Sequence, residues 1–117
     1  MTGFIDSGAG GFSALRAFRR RFPLENVCFF ADSLHLPYGE KSPEELTRYT
    51  LFACSFLFAR GADRIVFACG TASALALPAL SGLFPFLYGA TEPAAKAAAK
   101  ATVNGKIGIL ATKGTVR

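Results

Sequence analysis

The sequence predicts an α/β protein: a three-layer, doubly wound parallel sheet of about five strands, flavodoxin-like in its winding. Apolar runs of strand length alternate with segments of helix length, and Gly, Pro, Asp, Ser and Thr punctuate the boundaries. With 117 residues, 51% of them hydrophobic and 18% charged, the chain has core material for one domain and lacks the composition of a disordered tail.

The first strand is expected at Thr2 to Ile5, followed by the turn Asp6-Ser7-Gly8-Ala9-Gly10-Gly11 and a helix from Phe12 to Phe22. In that helix Leu15, Phe18 and Phe22 recur every three or four positions, which makes one face apolar. Val27 to Ala31 is the second strand, and a long loop runs from Asp32 to Ser42 with Pro37 and Gly39 bracketing Tyr38. Ser42-Pro43-Glu44-Glu45 has the form of a helix start: an N-cap hydroxyl, a proline at the first helical position, and acids in the first turn. That helix extends to about Arg60, where Gly61 ends it. Arg64 to Ala68 is the third strand. Ala72 to Leu83 is the next helix, with a kink or break imposed by Pro78. Pro85 to Tyr88 is a short fourth strand, Glu92 to Thr102 an Ala-rich helix, and Lys106 to Leu110 a fifth strand. The chain stops shortly after Thr112-Lys113-Gly114-Thr115, where another helix is expected to cover the last strand; the ending suggests a fragment or a truncated relative.

Composition narrows the function classes. Thirteen Lys and Arg against eight Asp and Glu give +5, but only Arg19, Arg20 and Arg21 cluster, without interleaved aromatics, so no nucleic-acid surface is expected. Cys28, Cys54 and Cys69 form no CxxC pair and, with the single His35, no zinc-ligand spacing, so no metal is expected. An odd cysteine count without an apolar leader points to the cytosol, and no apolar stretch approaches the roughly 20 residues that span a bilayer, so no membrane association is expected.

Parallel strands place the loops that follow them along one edge, where such folds bind ligands. The loops gathered there are Asp6-Ser7, Pro37-Tyr38-Gly39, Cys69-Gly70-Thr71, Thr91-Glu92 and Thr112 to Thr115. Cys69 closes a strand and precedes a helix, a position that favours a thiolate and acid/base work, although a free cysteine is equally at home as a small buried hydrophobe. Asp6 reads as a catalytic acid or as a turn cap, and Ser7 shares that ambiguity. The glycine turn departs from a dinucleotide fingerprint, with Ser13 at its third glycine position, and there is no Walker lysine; it suits a small anion at a helix start. His35 has no Ser or Cys partner at a recognisable spacing. Tyr38 either presents its turn's N–H groups to a ligand or caps the core.

Taken in order, Phe4-Ile5-Asp6-Ser7-Gly8-Ala9-Gly10-Gly11, Asp32 with Leu36-Pro37-Tyr38-Gly39-Glu40-Lys41-Ser42, Ala68-Cys69-Gly70-Thr71-Ala72, Glu92-Pro93-Ala94 and Ile109-Leu110-Ala111-Thr112-Lys113-Gly114-Thr115 resemble the N-terminal half of glutamate racemases, in the cofactor-independent aspartate/glutamate racemase superfamily. The resemblance implies inversion of the α-carbon of glutamate by two cysteines on opposite faces, without a cofactor, to supply D-glutamate for peptidoglycan. It implies that Cys69 is the first-half cysteine and Asp6 the assisting acid. Ser7, Pro37, Tyr38, Gly39, Gly70 and Thr71 then fall among the substrate-holding positions, with Thr112 and Thr115 close to the pocket. Gly70 departs from the family's usual Asn, which removes an amide able to hydrogen-bond the substrate. The family's second cysteine lies in a second domain, so the chain alone is expected to racemise little, and either to self-associate or to pair with a C-terminal half. Two other readings stand beside this one: a non-catalytic relative that binds an acidic amino acid or a protein partner, and a nucleotide-binding flavodoxin-like module, whose phosphate-binding residues the sequence lacks.

Overall fold

The computed structural model describes residues 1–116. In chain order its elements are β1 (Thr2–Asp6), α1 (Phe12–Arg21), β2 (Val27–Ala31), two 3₁₀ turns at Ser33–His35 and Tyr38–Glu40, α2 (Pro43–Ala59), β3 (Arg64–Phe67), α3 (Gly70–Leu75), α4 (Leu77–Leu80), β4 (Leu87–Gly89), α5 (Thr91–Ala101) and α6 (Lys113–Val116). The four strands form one parallel sheet in the order β2-β1-β3-β4. The chain steps from β1 to one side for β2 and then back across to β3 and β4, so the winding reverses beside β1, where ligand crevices of open α/β sheets form.

Alternation along the strands divides the two faces. Ile5, Ile65 and Phe67 point toward α2, α3 and α4 and join Leu46, Ala53, Cys54, Leu57, Ala72, Ala76 and Leu80 in the buried core. Gly3 lets α2 settle closely on β1, since a Cβ there would lie 3.1 Å from Leu57 Cδ1. Phe4 and Phe29 face the other way, under α1: the Phe18 ring meets Phe4 edge-on at 5.2 Å, and Phe12 stacks on Phe29 at 4.3 Å. The apolar face expected for α1 is therefore the face it applies to the sheet, while its three arginines occupy the last turn.

The start of α2 is the capping box anticipated from Ser42-Pro43-Glu44-Glu45. The Glu45 N–H donates to Ser42 Oγ at 3.2 Å, and the Ser42 N–H donates to Glu45 Oε2 at 2.8 Å. Arg60 caps the other end and Gly61 turns the chain away with φ +96°, a left-handed conformation that glycine adopts without steric cost.

Two elements differ from expectation. The helix expected over Ala72–Leu83 begins earlier, at Gly70, and breaks at Ala76 into α3 and α4, with Pro78 in the first turn of α4 where its missing N–H costs nothing. The fifth strand does not form: Lys106–Leu110 pairs with no strand, and the sheet ends at β4. After α5 the chain closes a local turn, with Thr102 Oγ1 donating to the Lys106 carbonyl at 3.1 Å and the Lys106 N–H donating to Asn104 Oδ1 at 3.0 Å. The segment leaves that turn with Ile109 and Leu110 exposed rather than laid along the three-residue β4. No helix among the described residues is long and apolar enough to cross a membrane.

Candidate active site

The carboxyl ends of β1 and β3 form the floor of the site. The Ala68 N–H donates to the Ile5 carbonyl at 2.8 Å and the Asp32 N–H donates to the Asp6 carbonyl at 2.9 Å, so the chains leaving β1, β2 and β3 emerge side by side. Neighbouring strands lie about 4.8 Å apart, which brings residues 6 and 69 to one rim although sixty-three positions separate them. Both are largely buried, with Asp6 7% and Cys69 9% exposed.

The glycine turn after β1 wraps the Asp6 carboxylate. Oδ2 accepts the Gly11 N–H at 2.7 Å, and a Cβ on Gly11 would lie 2.7 Å from Asp6 Cβ and 3.0 Å from Ala68 Cβ. Only glycine allows this approach, and the turn-capping role read for Asp6 is present alongside its place on the rim. Ser7 is half-buried in the same turn. Cys69 occupies the N-cap of α3; its carbonyl accepts the Ser73 N–H at 2.9 Å, and its side chain borders the core without capping the helix.

Tyr38 reports on how the acids are arranged. Its phenol holds its proton far more tightly than usual, first because it is buried, then because it is hydrogen-bonded to Asp32, and further because the charges of Asp32, Cys69 and Asp6 oppose its ionisation. The Tyr38 hydroxyl donates to Asp32 Oδ2 at 2.7 Å and the residue is 2% exposed. Its side chain belongs to the core, and the flanking Pro37 and Gly39 are exposed. The Leu36–Pro37 peptide that leads into this turn is cis.

The last described segment closes over two of these loops. Thr112 Oγ1 shares a hydrogen bond with Thr71 Oγ1 at 2.7 Å and another with Thr115 Oγ1 at 3.1 Å. A Cβ on Gly39 would lie 2.8 Å from Thr112 Cγ2, and one on Gly70 would lie 3.5 Å from Thr115 Oγ1. Gly39 thus closely approaches the Thr112 side chain, whereas a side chain at position 70 meets only ordinary contact. A cleft of about 600 Å³ opens beside Gly70 and Thr115 and continues between α5 and residues 107–111.

Other sequence candidates lie away from the rim or in different company. Glu92 pairs on the surface with Lys96 Nζ at 2.6 Å. Cys28 sits within β2, and Cys54 is sealed inside α2, where burial pushes its thiol up to about 12. His35, which looked partnerless, places Nδ1 2.8 Å from both oxygens of Asp32 and stacks on Tyr49 with ring centroids 3.7 Å apart. The 3₁₀ turn at Ser33–His35 brings His35 back to Asp32, and the extended Leu36-Pro37 link then returns the chain so that Tyr38 reaches the same carboxylate; the spacing itself carries no periodic signal for this cluster. No group of three His, Cys, Asp or Glu able to hold a metal ion occurs among the described residues.

No family model matches the chain. Similarity to individual proteins is nevertheless extensive. The glutamate racemase of Stutzerimonas stutzeri is 47% identical over 116 residues, which is 98% of this chain and 44% of that protein. The solved structure of glutamate racemase from Aquifex pyrophilus superposes with a TM-score of 0.94 at 40% identity, over 98% of this chain and 46% of the other. Glutamate racemase from Escherichia coli, solved in complex with L-glutamate and the activator UDP-MurNAc-ala, superposes at 0.82 with 36% identity, over 98% of this chain and 44% of the other. The chain thus spans less than half the length of the relatives it matches. By sequence and by fold alike the chain corresponds to the N-terminal half of glutamate racemases.

Proposed function

We propose that this chain is the N-terminal half-site of a cofactor-independent glutamate racemase. In this reading the Cys69 thiolate removes the proton from the α-carbon of glutamate on one face. Asp6 assists by exchanging protons with that sulfur. The turn N–H groups at Ser7 and Gly39, the exposed Pro37 in the turn that Tyr38 anchors, the Gly70 N–H and the Thr71 hydroxyl hold the substrate's carboxylates and amino group. Thr112 and Thr115 keep Thr71 in place. The α-proton of an amino acid is weakly acidic, so the reaction needs both a positioned base and donors for the charge that spreads onto the carboxylate. The observation that carries the proposal is the convergence of Asp6 and Cys69 on one rim from adjacent strand ends.

Inversion needs a second proton carrier on the opposite face. Cys54 and Cys28 are in no position to serve, being in the core and within β2. The second carrier must therefore come from outside residues 1–116, which supports reading the chain as one partner of a two-part site that closes around its substrate and excludes water. In the cell this activity would supply D-glutamate for peptidoglycan from the cytoplasm. Gly70, which supplies no side chain to the substrate, leaves room for an acid other than glutamate.

Exchange in D₂O separates the parts of this proposal. With the chain alone, deuterium should enter the α-carbon of one enantiomer of glutamate and return on the same face, giving label without inversion. Cys69→Ser should reduce that exchange at least a hundredfold. Exchange that survives the substitution removes Cys69 from the mechanism. A chain that binds acidic amino acids yet exchanges nothing before or after it fits the non-catalytic reading.

A further inference from the structure

Asp32 is a nearly buried carboxylate, with 9% of its side chain exposed, and it belongs to none of the groups assigned above to the proton transfer or the ligand. A carboxylate in that position is costly unless its oxygens are bonded, and these are. Tyr38 Oη donates to Oδ2 at 2.7 Å, and His35 Nδ1 lies 2.8 Å from both oxygens. The clamp is braced from outside by Tyr49 of α2, whose ring lies within 12° of parallel to the His35 imidazole. Through its backbone the same residue is tied to the strand end, because the Asp32 N–H donates to the Asp6 carbonyl. One residue thus joins the Asp6 rim to the turn that presents Tyr38 and Gly39. Direct contact with substrate is the wrong role for it, because both oxygens are already engaged.

We propose that Asp32 is a positioning residue, whose clamp on the Tyr38 hydroxyl and the His35 ring fixes the Tyr38–Gly39 backbone against the Asp6 strand end and so sets the geometry of the ligand rim. The statement about the ligand rests on the half-site reading above; the clamp itself does not. Because burial keeps the Tyr38 phenol protonated, the hydroxyl remains the donor and Asp32 the acceptor across the whole working range.

The test uses the 117-residue protein, labelled with ¹⁵N, as wild type, Tyr38→Phe and Asp32→Asn, the first variant removing only one oxygen. Amide hydrogen exchange is followed at Glu40 and Lys41, whose N–H groups donate to the Pro37 and Tyr38 carbonyls, and at Phe4 and Ile65 in the sheet, with L- and D-glutamate as probes. The expected result is exchange at Glu40 and Lys41 at least tenfold faster in both variants, sheet amides unchanged, and glutamate bound at least fivefold more weakly. Lys41 exchanging at the wild-type rate in Tyr38→Phe overturns the clamp. So does an equal acceleration at Phe4 and Ile65, which would make Asp32 a general core residue. If wild type shows no glutamate-dependent shift at Ser7, Gly39 or Thr71 while the turn still loosens in the variants, the clamp stands and the glutamate reading fails.

Discussion

Residues 2–80 and residues 81–116 are built to different standards. Every buried side chain among the described residues lies at or before Leu80, most of them in the sheet floor, α2, α3 and α4. From Ser81 onward nothing is buried, and Leu83, Phe86, Val103, Ile109 and Leu110 stand exposed. Yet the later region reaches the rim through Thr112, whose hydroxyl meets Thr71. The difference teaches that the acids of the site are held by the stable region alone, while the less buried region contributes a strap that can loosen without unfolding the floor.

The largest effects should separate the two regions by stability. Phe67→Ala, in the fully buried part of β3, is expected to cost about 3 to 5 kcal/mol in urea unfolding, whereas Leu110→Ala should stay within about 0.5 kcal/mol. Comparable costs would erase the distinction.

Two glycines sharpen it. Gly11→Ala drives a methyl into Asp6, Ala68 and Phe29 together, all parts of the stable region, and should cost about 1 to 3 kcal/mol of global stability. Gly39→Ala meets only the Thr112 side chain, so the strap should yield instead. Its signature is faster exchange at the Thr115 and Val116 amides, both bonded to the Thr112 carbonyl, with an unchanged unfolding midpoint.

Alkaline pH provides a smaller lever on the first region. Burial holds the Cys54 thiol up to about 12 against an ordinary value of 9.0, so the folded state keeps its proton where the unfolded chain loses it. That contribution is complete below pH 9 and is lost as pH rises toward 12, at a slope of at most about 1.4 kcal/mol per pH unit. Cys54→Ala should flatten the decline between pH 9 and 11, measured by urea midpoints. An identical decline in the variant would show that Cys54 ionises as freely folded as unfolded. The smallest of these effects is Ser42→Ala, expected to cost about 1 kcal/mol through loss of the capping box.

What the sequence disclosed follows the range of the interactions. The α2 start was legible to the residue because capping is local: Ser42 and Glu45 are one turn apart. The four paired strands and the rim they define were legible from punctuation and winding rules. The failed strand at Lys106–Leu110 has the right alternation in Ile107 and Ile109, but pairing depends on a neighbouring edge that periodicity does not encode. The Thr71–Thr112 bond joins residues 41 positions apart and leaves no spacing to read. Asp32, His35 and Tyr38 are close in sequence, yet their meeting depends on an extended, cis Leu36-Pro37 link between two short 3₁₀ turns, which residue patterning does not reveal.

Cysteine alkylation tests most directly whether Cys69 belongs to a ligand rim while its two companions do not. At pH 8 the account predicts that iodoacetamide modifies Cys69 at the margin of the core, that buried Cys54 resists until the protein unfolds, and that saturating glutamate slows modification of Cys69 at least fivefold without affecting Cys28. Modification of Cys69 at the same rate with and without glutamate would contradict it.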